Sequence, residues 1–220
     1  MRYYPINLDI KGRHCLVVGG GGVGFRKVTT LLACGGLVTV VSPALVPELQ
    51  ALADSCDITW HSRGYRASDL ANMFLVIGAT NDEQLNNQVS TDAHGQNMLC
   101  NIADRPAACN FILPSIVHRG DLVLTISTSG KSPAFAKQLR KELEKQFGAE
   151  YKAFLLLMGA IRDRLLSQAH EPEAHKPLFE KLINAGLLTR IRENDTDGIN
   201  RLLFETLGSG YELNRLIDKD

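Results

Sequence analysis

Short apolar runs separated by helical stretches fill the first half of the chain. Cys15 to Val18 is the first run, and it ends in Gly19-Gly20-Gly21-Gly22-Val23-Gly24. A helical stretch from Phe25 to Cys34 follows and stops at Gly35-Gly36, where glycine suits the left-handed residue after a helix end. Leu37 to Val41 reads as a second buried strand, rich in β-branched residues. Strand, glycine turn, helix and strand within about 30 residues make a βαβ unit. The alternation continues with a helix over Pro47 to Ala53, a strand at Ile58 to Trp60, an apolar run from Met73 to Ile77, a helical segment from Asp82 to His94, and a last apolar run from Met98 to Ile102. Uninterrupted apolar strands need cover on both faces, so the pattern predicts a parallel sheet between two layers of helix.

The pattern changes after Asn110. Phe111 to Val117 and Leu122 to Ser127 are extended runs joined by His118-Arg119-Gly120-Asp121, which predicts a hairpin. Ser132-Pro133 opens a helix, with serine as cap and proline at the first helical position, and that helix runs to about Phe147 before Gly148. Its charged residues from Lys137 to Lys145 suit a solvated face or a subunit contact. From Glu150 onward the chain reads as helical. Phe154, Leu157, Met158, Ile161 and Leu165 recur on one helix face, and Lys176 to Leu188 and Ile199 to Leu207 suggest two more helices. The fold class expected is α/β: a Rossmann-like parallel-sheet domain over residues 1–112, a hairpin–helix unit over 113–148, and an all-helical domain over 149–220.

Composition removes several alternatives. The chain has 220 residues, 45% hydrophobic and 22% charged, with a formal net charge of zero, so no overall field favours nucleic acid or a membrane surface. No apolar run approaches the roughly 18 residues that span a bilayer, and the N-terminal stretch lacks the basic start and apolar centre of a signal peptide. Five cysteines (Cys15, Cys34, Cys56, Cys100, Cys109) form no CxxC pair, which speaks for reduced, mostly buried thiols in a cytoplasmic protein. The six histidines (His14, His61, His94, His118, His170, His175) show no ligand spacing, so no metal site is expected.

Gly19, Gly21 and Gly24 fit G-x-G-x-x-G after a strand and at the opening of a helix. That context suits a dinucleotide, whose pyrophosphate lies against backbone N–H groups at the positive helix end. Where such sites carry an acid for the adenosine ribose, this chain has Ser42 followed by Pro43. A hydroxyl can bond a ribose, but it does not by itself select NAD over NADP. Ser129-Gly130-Lys131-Ser132 resembles the end of a P-loop, yet position 125 is Thr where that motif needs Gly, so no triphosphate site is expected. Asp195-Thr196-Asp197-Gly198 echoes a calcium loop, but its twelfth position is Phe204, and a helix cap at Asp197 is the better account. Trp60, the one tryptophan, suits the core better than a stacking platform.

Several motifs in order carry a family resemblance. Pro5 to Arg13, Val17 to Gly24 with Arg26-Lys27, Ala79-Thr80-Asn81-Asp82, Cys100 to Asp104, Asn110 to Ser115, and Ser127 to Pro133 together resemble the precorrin-2 dehydrogenase family, which includes the N-terminal part of bifunctional sirohaem synthases. The likeness is detailed to about residue 147 and architectural beyond it. It implies an enzyme of sirohaem biosynthesis that oxidises precorrin-2 to sirohydrochlorin with NAD. The cofactor would bind at Gly19, Gly20, Gly21, Gly22 and Val23, and at Ser42, Pro43 and Ala44. The family also implies a homodimer built largely by the segment after Asn110, with the tetrapyrrole between the Rossmann domain and the helical parts. Some members also insert ferrous iron, so a bifunctional enzyme is the alternative. A non-catalytic NAD-sensing dimeric module is a further one.

The chemistry assigns roles residue by residue. Oxidation requires a hydride to leave for the nicotinamide and protons to leave for a base, and Asp104 matches the family's catalytic aspartate. Its bland alternative is a loop carboxylate capping local backbone. Thr80 and Asn81 lie just past a strand's carboxyl end, where doubly wound sheets bind ligands, and Asn101 is placed similarly. Precorrin-2 carries several carboxylates, so Arg119, Lys131 and the helix start after Ser132 are candidates to hold them. Thr128 stands where relatives carry a serine, and a hydroxyl is kept there.

Overall fold

The computed structural model describes residues 3–168 and 172–217, so His170 lies outside the described residues. The chain divides into two compact units, the first ending at Leu113 and the second starting at Pro114.

In the first unit the strands β1 (His14–Val18), β2 (Leu37–Val41), β3 (Ile58–His61), β4 (Leu75–Gly78) and β5 (Leu99–Ile102) form one parallel sheet in the order β3-β2-β1-β4-β5. Helices α1 (Gly22–Ala33), α2 (Pro47–Asp54) and α3 (Glu83–Gly95) are the crossovers, with short 3₁₀ turns at Ala67–Leu70 and Pro106–Ala108. Period-two alternation decides which side chains fill which face. Cys15 and Val17 of β1, with Val38, Val40, Leu75 and Ile77, pack beside Val28 and Leu31 of α1 and Leu49 of α2. Leu16 and Val18, with Val41, Val76, Cys100 and Ile102, pack beside Val89 and Ala93 of α3. Both faces are covered, as the unbroken apolar strands require. Trp60 packs against the first cluster, and its indole N–H donates to the Ser42 carbonyl at 3.0 Å.

The second unit starts with an antiparallel hairpin, β6 (Ser115–Arg119) and β7 (Leu122–Ile126), turned at left-handed Gly120. Helices α4 (Pro133–Gln146), α5 (Glu150–Ser167), α6 (Pro172–Asn184), α7 (Leu187–Arg192), α8 (Thr196–Leu207) and α9 (Leu213–Leu216) follow. Leu157, Ile161 and Leu165 of α5 form a closed core with Leu182, Leu187, Ile199, Leu203 and Tyr211. Ser132 caps α4 through its hydroxyl, which accepts from the Phe135 N–H, and Pro133 occupies the first turn as its sequence predicts.

Five details differ from the sequence reading, the first four for a local reason. Helix α1 begins at Gly22 and not at Phe25, because the end of the glycine loop already has helical geometry behind an extended Gly21 cap. Strand β6 begins only at Ser115, because Asn110 and Phe111 bond back to the end of the sheet: the Asn110 side chain bonds the Cys100 N–H and the Met98 carbonyl, and the Phe111 carbonyl is held by Asn101. The helix expected over 176–188 is broken, since Gly186 takes a left-handed φ of 80° and starts α7. Helix α8 is capped by Asp195, whose carboxylate accepts from the Gly198 N–H at 2.9 Å, and not by Asp197. The cysteines are free but less buried than expected: Cys15 and Cys100 are buried, whereas Cys34 and Cys56 are exposed at the ends of α1 and α2.

Candidate active site

Register puts the functional positions on one edge. Val41, Val18, Gly78 and Ile102 stand side by side as last residues of β2, β1, β4 and β5. The residues that follow leave the sheet together, with the Gly19 N–H donating to Val41 O at 3.0 Å, Ala79 N–H to Val18 O at 2.8 Å and Ala103 N–H to Gly78 O at 2.8 Å. The chain winds from β1 to β2 and β3 on one side and to β4 and β5 on the other. A crevice therefore opens beside β1, the place where open α/β sheets bind ligands. A cavity of about 740 Å³ occupies it, floored by the glycine loop and walled by Arg26, Ser42, Pro43, Thr80, Asn81 and Leu85.

The glycines divide by role. Gly19 has φ +120°, and a Cβ there would strike the Ala79 carbonyl. A Cβ on Gly20 would strike the Ala44 carbonyl, and one on Gly24 the Gly19 carbonyl. These three permit the tight turn and the close helix–strand contact. A Cβ on Gly21 or Gly22 would meet nothing within 4 Å, so there the backbone itself borders open space. No side chain caps α1 and its first turn holds no acid. Its leading N–H groups and positive end thus face a cavity wide enough for a pyrophosphate. The residues present fit a dinucleotide.

On the β2 side, Ser42 is buried and its hydroxyl donates to the Ala44 carbonyl at 2.8 Å. On the β4 side, the Thr80 hydroxyl accepts from the Asp82 N–H at 3.1 Å and lies 3.0 Å from Asn86 Oδ1, while the Asn86 amide donates to the Thr80 carbonyl at 2.9 Å. This lattice fixes the start of α3, with Asp82 as its cap. Thr80 and Asn81 both border the cavity; Ala44 lies beside it, under Gly20.

Asp104 sits two residues past β5, exposed, in a left-handed conformation with φ 60°. Ala103 follows Ile102 as Ala79 follows Gly78, so Asp104 lies beyond the edge on the strand next to Thr80, and neighbouring strands are about 4.8 Å apart. The loop is fixed from below. The Cys109 thiol lies 3.1 Å from the Arg105 carbonyl and accepts from the Ile102 N–H at 3.1 Å, and Arg105 pairs with Glu83 of α3. Burial raises the Cys109 thiol above its usual range. Lys27 of α1 is half-buried; burial and then the neighbouring Arg26 lower its pKa, partly offset by the fields of Asp104 and Cys109.

Two residues expected as ligand contacts have hydrogen-bond partners within the protein. Asn101 is buried, and its amide donates to the Phe111 carbonyl at 3.1 Å, so it ties the return loop to β5. Arg119 donates to the carbonyls of Phe147 at 2.8 Å, His118 at 2.9 Å and Glu144 at 3.1 Å. Its cation thereby satisfies the carboxyl end of α4, where a positive charge is favoured. Thr128 organises the opposite end: its hydroxyl accepts from the Ser132 N–H at 3.1 Å, and left-handed Ser129 and Gly130 bring exposed Lys131 before the cap. Arg26 and Leu85 line the cavity without having been singled out as binding residues. The signal for Arg26 was its position just after the glycine loop; Leu85 shows only as an apolar residue in the first turn of α3. Among the described residues no cluster of three or more His, Cys, Asp or Glu side chains could hold a metal ion, and no helix is long and apolar enough to cross a membrane.

Comparison with known proteins agrees with this geometry. Residues 6–115 match the family described as "Putative NAD(P)-binding", and residues 119–146 match "Sirohaem biosynthesis protein central". A siroheme synthase of Nitrosococcus oceani is 37% identical over 211 residues, covering 96% of this chain and 45% of the relative. One of Thioalkalivibrio sulfidiphilus is 34% identical over 212 residues, covering 96% and 43%. The chain thus spans less than half the length of these curated relatives. Among solved structures, SirC, a precorrin-2 dehydrogenase, superposes with a TM-score of 0.75 at 26% identity, covering 89% of this chain and 98% of SirC. With a dinucleotide cleft on the expected sheet edge and a match over residues 6–115, the chain belongs to the family described as "Putative NAD(P)-binding".

Proposed function

We propose that the protein oxidises precorrin-2 to sirohydrochlorin with NAD, and that Asp104 is the general base. The observation that carries the reading is the common carboxyl edge: the open glycine backbone and Asp104 leave the same sheet two strands apart, with Thr80 and Asn81 between them. NAD bound in the cleft supplies the hydride acceptor. Backbone N–H groups of Gly21 to Val23 hold its pyrophosphate, Ser42 and Pro43 border the adenosine ribose, and Thr80 and Asn81 orient the nicotinamide half. Asp104 takes the proton that leaves carbon as the macrocycle gains its double bond, and its exposure leaves the carboxylate open to a large substrate. Lys131, exposed before the α4 cap, is the cation we assign to a substrate carboxylate, and Thr128 shapes its turn. Arg119 is the second cation proposed for a substrate carboxylate, although two of its guanidinium nitrogens already donate to carbonyls at the end of α4.

We assign the dimer contact to residues 113–148, within a three-part division of 1–112, 113–148 and 149–220. The support is exposed apolar surface there: Leu113, Ile116, Val123 and Phe135 are between 41% and 55% exposed in the single chain. Free thiols at Cys34 and Cys56 suit the reducing cytoplasm.

The test is anaerobic turnover of precorrin-2 generated in place, with NAD in excess. NADH absorbance and the sirohydrochlorin spectrum rise one to one if the proposal holds, and NAD binding with no turnover favours the sensor module. Ferrous iron added afterwards decides the second activity: sirohaem formation faster than the enzyme-free rate makes the protein bifunctional, and an unchanged rate confines it to oxidation.

A further inference from the structure

We propose that Ser42 makes the dinucleotide site selective for NAD over NADP, through a hydroxyl whose single proton is already engaged. The inference rests on the cofactor site argued above and concerns the position just past β2, where the adenosine ribose is recognised in sheets of this topology. An acid commonly serves there because a carboxylate only accepts hydrogen bonds, which suits a ribose 2′-hydroxyl and repels a 2′-phosphate. This chain has no acid among the residues lining the cavity. A free serine would not replace it, since a hydroxyl that can turn donates to a phosphate as readily as it accepts from a ribose.

The hydroxyl of Ser42 does not turn freely. It donates to the Ala44 carbonyl at 2.8 Å, and a carbonyl can only accept, so the direction of that bond is fixed. The segment around it is held at several points. The Trp60 indole N–H donates to the Ser42 carbonyl at 3.0 Å, the Ser42 N–H donates to His61 O at 3.3 Å, and the Val46 N–H donates to Gly20 O at 2.8 Å. Redirecting the proton toward a ligand leaves the Ala44 carbonyl without it on the crowded side that faces Gly20. Toward the cavity, then, Ser42 Oγ presents lone pairs only. A 2′-hydroxyl can donate to them; a phosphate dianion has no proton to give. The first arginine past β3, Arg63, is bound through both terminal nitrogens to Asp69, at 2.8 and 2.6 Å, and to the Gly64 carbonyl. Arg26, the arginine in the cavity wall, belongs to the start of α1 at the pyrophosphate end and not to the position past β2. A locked serine does the work of the missing acid.

The test measures NADH and NADPH binding by fluorescence titration, without substrate. Wild type binds NADH about tenfold more tightly, the ratio expected for one hydrogen bond of ordinary strength. Ser42→Ala brings the ratio close to one by weakening NADH and leaving NADPH unchanged. Ser42→Asp, an acceptor only, keeps or widens the wild-type preference, and it also covers the case of a poorly folded alanine variant. A wild type that binds both equally overturns the inference while leaving the cofactor site intact, as does an unchanged ratio in Ser42→Ala. A wild type that binds neither overturns the cofactor site itself.

Discussion

The two roles assigned to the glycine loop are separated by a pair of single-methyl changes. At Gly21 the backbone is extended, with φ −87° and ψ −176°, a conformation any residue adopts, and a Cβ meets nothing within 4 Å. Gly21→Ala therefore leaves folding unharmed, and lowering the entropy of the unfolded chain adds up to about 1 kcal/mol of stability. The methyl occupies the space from which a pyrophosphate reaches the first N–H groups of α1. Losing one charge-assisted hydrogen bond costs about 1.5–3 kcal/mol, so the Kd for NADH rises roughly tenfold to a hundredfold. Gly24 behaves in the opposite way. Its Cβ would run into the Gly19 carbonyl oxygen, with Val17 Cγ1 also 3.8 Å away, so the strand and helix must part. Overpacking of about 2 kcal/mol lowers the Tm by about 4–8 °C. NADH fluorescence titration and thermal unfolding on both variants make the comparison. Unchanged NADH affinity in Gly21→Ala refutes the reasoning, and so does an affinity loss matched by a fall in Tm.

Other expectations follow from individual contacts. Arg119→Met removes the cation bonded to the last carbonyls of α4 and lowers the Tm by about 3–6 °C, and the KM for precorrin-2 rises with it; a KM that stays within about twofold would leave Arg119 its bonds to α4 alone. Gly186→Ala places a side chain at φ 80° and costs about 1 kcal/mol, read as a Tm fall of about 2–4 °C with dinucleotide binding intact. Lys27 has its pKa lowered, so its charge opposes folding below that value and the cost disappears as pH rises through it toward the unfolded value of 10.5. Lys27→Met is accordingly more stable than wild type at pH 7, and the Tm difference shrinks as the pH is raised to 10.

The sheet was legible because its strands are buried on both faces: unbroken apolar runs such as Leu75 to Ile77 have few other uses between helices. The glycine loop was legible because tight turns leave few alternatives to glycine. Long-range hydrogen bonding was not. Asn101 and Arg119 are of the right type and position for ligands, but their partners, Phe111 ten residues and Phe147 28 residues further on, appear only once the chain has folded back. The break between α6 and α7 was hidden because Leu182 and Leu187 both face the same core, so apolar spacing runs on across left-handed Gly186. Asp195 and Asp197 are equally good caps by composition; the turn at Asn194, with φ 56°, brings the earlier one over the Gly198 N–H.

The central claim is that one sheet edge supplies both the dinucleotide cradle and the base. Asp104→Asn tests it most directly, since the amide keeps the shape of the side chain and loses its basicity. NADH affinity and anaerobic precorrin-2 oxidation are measured side by side with wild type. The account predicts NADH affinity within twofold of wild type and a turnover lower by about 10²–10⁴-fold. Turnover near the wild-type rate would contradict it, because the proton would then leave through some other group.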